Sequence, residues 1–121
     1  MAEVIVYARA NCPHCHMIIT RLTRALMELG LPPPLVHYVS PLEEPPLPPV
    51  AIGIDLEQGG KILGPVLTEP LRGSVPVTYI RLFFHPANVV NIVVYGSVRR
   101  EEDVENLCKN IALLIKLYLR R

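Results

Sequence analysis

The sequence predicts an α/β fold in which a βαβ unit and a ββα unit share a central mixed sheet. Three observations carry that expectation. A run of β-formers, Val4-Ile5-Val6-Tyr7, passes into a helical spacing of apolar residues and then into a second β run ending at Val39. Such a βαβ unit pairs its strands in parallel through a right-handed crossover. Two further β runs, Val77–Phe83 and Val89–Tyr95, follow one another closely and lead into a second helical pattern. Between the halves lies a proline-rich stretch that excludes both helix and central strand.

Taken in order, residues 3–8 read as the first strand and Pro13 to about Glu28 as the first helix. Pro13 suits the first helical position because its ring fixes φ and its missing N–H is not needed there, which makes Cys12 the N-cap residue. From Cys15 the apolar positions Ile18, Leu22, Ala25, Leu26 and Leu29 keep a three-four spacing, so Cys15 heads the buried stripe. Gly30 supplies a C-terminal stop and Pro32 prevents continuation. Leu35–Val39 is the second strand. From Ser40 to Pro49, Pro41, Pro45, Pro46, Pro48 and Pro49 predict an extended surface connection. Val50–Ile54 and Lys61–Leu67 flank Gln58-Gly59-Gly60 and are compatible with an extra hairpin, its second arm interrupted by Gly64 and Pro65. Residues 41–71 are otherwise expected to be an irregular, Pro-rich insertion. Val77–Phe83 and Val89–Tyr95, joined through His85-Pro86-Ala87-Asn88, predict an antiparallel hairpin that Gly96 ends. Glu101, Glu102 and Asp103 favour a helix start, and Val104, Leu107, Cys108, Ile111, Leu114, Ile115 and Tyr118 form one helical face. Helices would cover both faces of the sheet if the excursion contributes one.

At 121 residues, half of them apolar, the chain suits one domain spanning 1–121. The net charge is +1 and the basic residues are scattered, so neither a nucleic-acid stripe nor a polybasic membrane patch is expected. No run approaches the roughly 20 apolar residues of a membrane span, and the first residues enter a strand without a charged and apolar leader. The expected address is the cytoplasm. Three cysteines, two of them in a C-x-x-C, point to redox or metal chemistry rather than a disulfide framework. From Ile111 to Leu119 the last helix is apolar almost all round, Lys116 excepted, which predicts a homodimer contact through it.

The motif Cys12-Pro13-His14-Cys15 sits where the first strand gives way to the first helix. A sulfur at the N-cap faces unpaired amides, and these with the aligned peptide dipoles favour negative charge, so the Cys12 thiol should ionise readily and act as a nucleophile. Cys15, on the buried stripe, is shielded. Thiol–disulfide exchange uses that asymmetry: an outer thiolate attacks a partner disulfide, and an inner thiol resolves the mixed disulfide. The dithiol itself carries the electrons, so no cofactor and no metal is assigned.

These features resemble the thioredoxin and glutaredoxin superfamily. Val4-Ile5-Val6-Tyr7 followed by Asn11-Cys12-Pro13-His14-Cys15 is similar to the start of a glutaredoxin, and Gly73-Ser74-Val75-Pro76-Val77-Thr78 with Tyr95-Gly96-Ser97 is similar to a thioredoxin's second half. The resemblance covers residues 3–39 and 72–119. It implies a thioredoxin-like fold, a protein-disulfide oxidoreductase with protein disulfide or dithiol substrates and a redox partner, and a cis Pro76 beside the dithiol. Val75 and Pro76 would then offer backbone groups to a bound peptide, and Pro13 would line the same substrate site. A histidine between the cysteines, as at His14, also occurs in the bacterial periplasmic disulfide oxidase. There an imidazole hydrogen bond to the thiolate stabilises the reduced form and makes the disulfide more oxidising. Thioredoxins carry a tryptophan before the first cysteine and a buried acid on the first strand, where this chain has Asn11 and Val6. The glycine pair and acid with which glutaredoxins hold glutathione are missing after Pro76. A protein partner is the better expectation.

The competing reading is a non-catalytic thioredoxin-fold module that binds a partner or zinc, with His14, His16 or Cys108 as further ligands; the lack of a second C-x-x-C weighs against zinc. Cys12 to His16 also spells the haem attachment pattern C-x-x-C-H, but a motif set directly against a strand without a leader argues against covalent haem. His16 reads as a polar residue of the first helical turn and Cys108 as a small core hydrophobe. His37 reads as a strand residue, His85 as a turn residue and Arg9 as a solvated loop residue.

Overall fold

Helix α1 (Pro13–Glu28) returns the chain from β1 (Ala2–Ala8) to β2 (Leu35–Tyr38), which runs parallel to β1 with Val6 opposite Val36 and Ala8 opposite Tyr38. A parallel pair needs such a crossover. The computed structural model describes residues 2–73, 75–84, 88–96 and 100–120; the expectations that fall on Ser74, on His85-Pro86-Ala87 and on Ser97 lie outside them. At the end of α1 the Gly30 N–H donates to the Met27 carbonyl (3.0 Å) and the Leu31 N–H to the Leu26 carbonyl (2.9 Å). This paired closure needs a left-handed residue, and Gly30, at φ 74°, has no Cβ to clash. Leu31 is thereby turned back into the same buried cluster as Leu26.

The second half supplies β5 (Val77–Phe84), antiparallel β6 (Asn88–Tyr95) and α2 (Glu101–Leu119), in the expected order. Between the halves, β3 (Val50–Asp55) and β4 (Lys61–Leu67) form a hairpin, and β3 adds parallel to β6. The six strands make one mixed sheet in the order β2-β1-β5-β6-β3-β4, with β1 antiparallel to β5. A register shift at Gly53 and Ile54 accompanies the Gly64-Pro65 interruption, and the edge position of β4 is where a strand tolerates proline.

Both α-helices contribute to the core on one face of the sheet. Val6, Ile80 and Val94 of the strands meet Ile18, Leu22 and Leu26 of α1 and Val104, Ile111 and Ile115 of α2. Leu22 is fully buried, and its truncation to alanine should cost about 2–5 kcal/mol. The helices are also fastened to each other: Arg21 Nη1 meets Glu105 Oε2 at 2.6 Å, and Lys116 Nζ donates to the Leu29 carbonyl at 3.0 Å.

The opposite face is covered differently. Among the described residues the excursion contributes two short 3-10 segments, Leu56–Gln58 and Glu69–Leu71, and no α-helix, so the condition for helices on both faces is not met. Leu47, from the proline-rich stretch, joins Tyr7, Val39, Ala51, Val77, Tyr79 and Val93 in a second buried cluster. Prolines keep that stretch extended, yet Pro45 and Leu47 are buried. Its end is tied to the end of β4, because the Thr68 hydroxyl donates to the Pro48 carbonyl and the Thr68 N–H to the Pro49 carbonyl (3.1 Å). Among the described residues no helix is long and apolar enough to cross a membrane.

Candidate active site

The turn after β1 delivers Cys12 to the mouth of α1. Its backbone is extended (φ −111°, ψ 106°), Pro13 takes the first turn, and Cys12 Sγ accepts the Cys15 N–H at 3.1 Å. This is the N-cap geometry expected from the Pro13 position. No acidic side chain lies in the first turn of α1, and the positive end of the helix favours negative charge on the sulfur.

Cys12 and Cys15 are at disulfide distance, with their Cα atoms 5.2 Å apart. Their environments differ as the helical spacing predicts. Cys15 is fully buried at the head of the stripe that continues through Ile18, Leu22, Ala25 and Leu26, whereas Cys12 is half-buried. Cys12 is therefore open to solvent in part and Cys15 is not.

Beside Cys12 lies a groove of about 790 Å³. Pro13 and Val75 line it together with Cys12, so three of the residues singled out in the sequence border one space. His14 is exposed on the first turn and does not line the groove; Pro76 is buried, joined to Val75 through a cis peptide bond, and does not line it either. The far wall comes from Tyr38, Val39, Ser40, Pro41 and Glu43, and Arg9 and Asn11 complete the near side. The far wall was missed in the sequence, although its signal was present. Parallel β1 and β2 must end at the same edge of the sheet, and loops at such carboxyl ends meet in a crevice. Within that wall Glu43 is already engaged, accepting the Ser40 N–H at 3.3 Å and standing 3.7 Å from His37 Nε2.

His16 holds more than a position on the first turn. Its Nε2 lies 2.9 Å from the Ala10 carbonyl oxygen, across the turn that carries Cys12. Cys108 is fully buried in the helix-side core as a free thiol, and burial pushes it up to about 12, with the nearby Glu105 carboxylate adding to the shift. A thiol held in that state does not compete with the 12–15 pair as a nucleophile. Among the described residues no three His, Cys, Asp or Glu side chains gather as a metal-binding group.

Chemically, the arrangement offers one accessible sulfur in a field that favours its anion, a second sulfur within bonding reach but shielded, and an adjoining groove of about 790 Å³. Comparison of the chain with family models, with curated proteins and with solved structures found no match.

Proposed function

We propose that residues 1–121 form a single thioredoxin-like domain that acts as a thiol–disulfide oxidoreductase on protein substrates, with Cys12 as nucleophile, Cys15 as resolving thiol and His14 as modulator of the thiolate. The carrying observation is the difference between two bonded sulfurs: Cys12 caps α1 at the rim of a groove while Cys15 is buried beneath. Val75 lines that groove, which supports a docking role for the Val75-Pro76 segment. The βαβ and ββα order within one mixed sheet is compatible with the thioredoxin-like reading, and the β3–β4 hairpin extends that sheet beyond β6.

In the reducing direction the Cys12 thiolate attacks one sulfur of a substrate disulfide. An S–S bond forms between Cys12 and the substrate, and the displaced substrate sulfur leaves as a thiolate that takes a proton from water. Cys15 then attacks the Cys12 sulfur, which breaks the mixed disulfide, and its proton passes to the departing sulfur, so the second substrate group leaves as a thiol. The protein is left oxidised at 12–15, and the substrate has gained two electrons and two protons. The reverse sequence oxidises a substrate dithiol. Part of the same proposal is that two copies associate through α2, whose Leu113, Leu114 and Leu117 remain exposed.

The test is reduction of insulin disulfides with dithiothreitol as electron donor. Cys12→Ser should abolish turnover, and reduced Cys15→Ser mixed with insulin after dithiothreitol is removed should accumulate a mixed disulfide with substrate, visible as a mass adduct. Unchanged turnover in Cys12→Ser overturns the assignment, as does stoichiometric zinc on protein purified under reducing conditions.

A further inference from the structure

We infer that His16 is a positioning residue that holds the Cys12 sulfur in register with the helix mouth; the inference rests on the redox reading above and deepens it. Cys12 ends a tight turn whose closing bond runs from the Cys12 N–H to the Arg9 carbonyl at 3.3 Å. Behind it, the Cys12 carbonyl accepts the His16 N–H at 3.2 Å. Both are long for backbone hydrogen bonds, which centre near 2.9–3.0 Å. The third restraint is the shortest, His16 Nε2 to the Ala10 carbonyl at 2.9 Å. Ala10 lies in the middle of the turn, so the ring of a residue one place beyond Cys15 reaches back and fastens the part of the loop that the backbone leaves unfastened.

The chemistry of the pair fixes the proton. A carbonyl oxygen can only accept, so Nε2 must carry a hydrogen, and the neutral ring is the Nε2–H tautomer with Nδ1 as its free base. His16 is exposed, so losing its ring sacrifices little burial and should barely change stability. What it should change is the lifetime of one arrangement, the Cys12 sulfur over the Cys15 amide at 3.1 Å. The stabilisation of a thiolate by helix-end amides falls off within a single turn, so a looser Ala10–Cys12 segment spends less time with its sulfur in that field.

The measurement is the rate at which the reduced protein is alkylated at Cys12 by iodoacetamide near pH 6.5, where the thiolate displaces iodide and forms a thioether. His16→Ala should slow it about three- to tenfold, the range expected for loss of one hydrogen bond, with little change in melting temperature. His16→Gln places an amide Nε2–H the same number of bonds from the backbone and should restore most of the rate. Nitrogen-15 spectra of the wild-type protein should show the Nε2–H tautomer at position 16. An unchanged rate in His16→Ala, a loss that His16→Gln does not restore, or the Nδ1–H tautomer overturns the inference. None of these readouts needs a turning-over enzyme, so normal alkylation behaviour alongside failed insulin reduction removes the redox function and leaves the positioning role.

Discussion

Cys12 Sγ accepts the backbone N–H of Cys15 at 3.1 Å, so the sulfur proposed to attack is also the group that caps the helix carrying its partner. The bond predicts an order of reactivity. In fully reduced protein at limiting iodoacetamide and near-neutral pH, Cys12 should be alkylated first and Cys15 well behind it, because only Cys12 is accessible and faces the open helix end. Cys108 should stay unmodified until the protein is unfolded, since its buried thiol is pushed up to about 12. Peptide mapping by mass spectrometry reads all three positions. Modification of Cys15 or Cys108 ahead of Cys12 would contradict the assigned roles.

The midpoint of the 12–15 couple tests His14. The ring is exposed on the first turn of α1, next to the motif's sulfurs in sequence and outside the groove. If it donates to the Cys12 thiolate, it stabilises the reduced form, and the pair should be more oxidising than thioredoxin, whose potential is about −270 mV. His14→Ala should lower the potential by about 30 mV, the equivalent of one charge-assisted hydrogen bond. Equilibration against glutathione buffers, read by thiol trapping, gives both numbers. A wild-type value at or below that of thioredoxin, or an unmoved value in the variant, removes His14 from the mechanism.

Cys108 also predicts the alkaline limb of the stability curve. Burial, followed by Glu105, raises its folded-state thiol to about 12, whereas an unfolded thiol ionises near its ordinary value of about 8.5. Between the two the native chain keeps a proton that the unfolded chain has lost. The stability is therefore complete below the unfolded value and falls as pH rises towards the folded one, by up to about tenfold in the folding equilibrium per pH unit. Cys108→Ala removes that titration while leaving a small void. Urea unfolding at pH 8 and pH 10.5 should show a smaller alkaline loss in the variant than in the wild type; equal losses would mean the thiol is free to ionise in the native state.

The parts of the fold legible in the sequence were those with a strong period or a local stop. The stripe from Cys15 to Leu26 and the Gly30 closure are local facts, and α1 follows them from Pro13 to Glu28. The same local logic placed Cys12 at the N-cap. Coverage of the second face was not legible, because it depends on one leucine, Leu47, lodged between prolines and meeting Tyr7, Val77 and Val93 from distant strands. No period announces such a contact. The hairpin was visible only as two flanking runs, since Gly64 and Pro65 break the alternation that would have marked β4, and its parallel attachment to β6 is a long-range choice. The same holds at the site. Cys12 and Cys15 are four-residue chemistry and the groove's far wall follows from the parallel β1–β2 pair, whereas the bond from His16 to Ala10 appears only once the turn is in place.

The β3–β4 hairpin also bears on self-association. Its face towards the helices carries Val50, Ile52 and Ile54 opposite Leu67, Pro65 and Ile62. Ile52 and Ile54 pack against the core, but Val50, Ile62 and Leu67 stand 49%, 68% and 71% exposed. Between this face and α2 runs a groove of about 1180 Å³, lined by Ile54 and Ile62 on one side and Leu107 and Leu114 on the other. A sheet buries such a face against another layer, and among the described residues two α-helices serve six strands. A two-fold axis would seat the α2 ridge of each copy in the groove of the other, making the same contact twice. The rim carries Arg100 together with Glu57 and Asp103, so each copy brings both signs of charge to the pairing. Light scattering at tens of micromolar should return twice the 13.5 kDa chain mass. Leu114→Glu and Ile62→Glu, each of which sets a charge on the groove wall without entering the core beneath, should return the single-chain mass with the far-ultraviolet spectrum unchanged. A wild-type protein of single-chain mass would show that the groove stays open to water and that α2 makes no such contact.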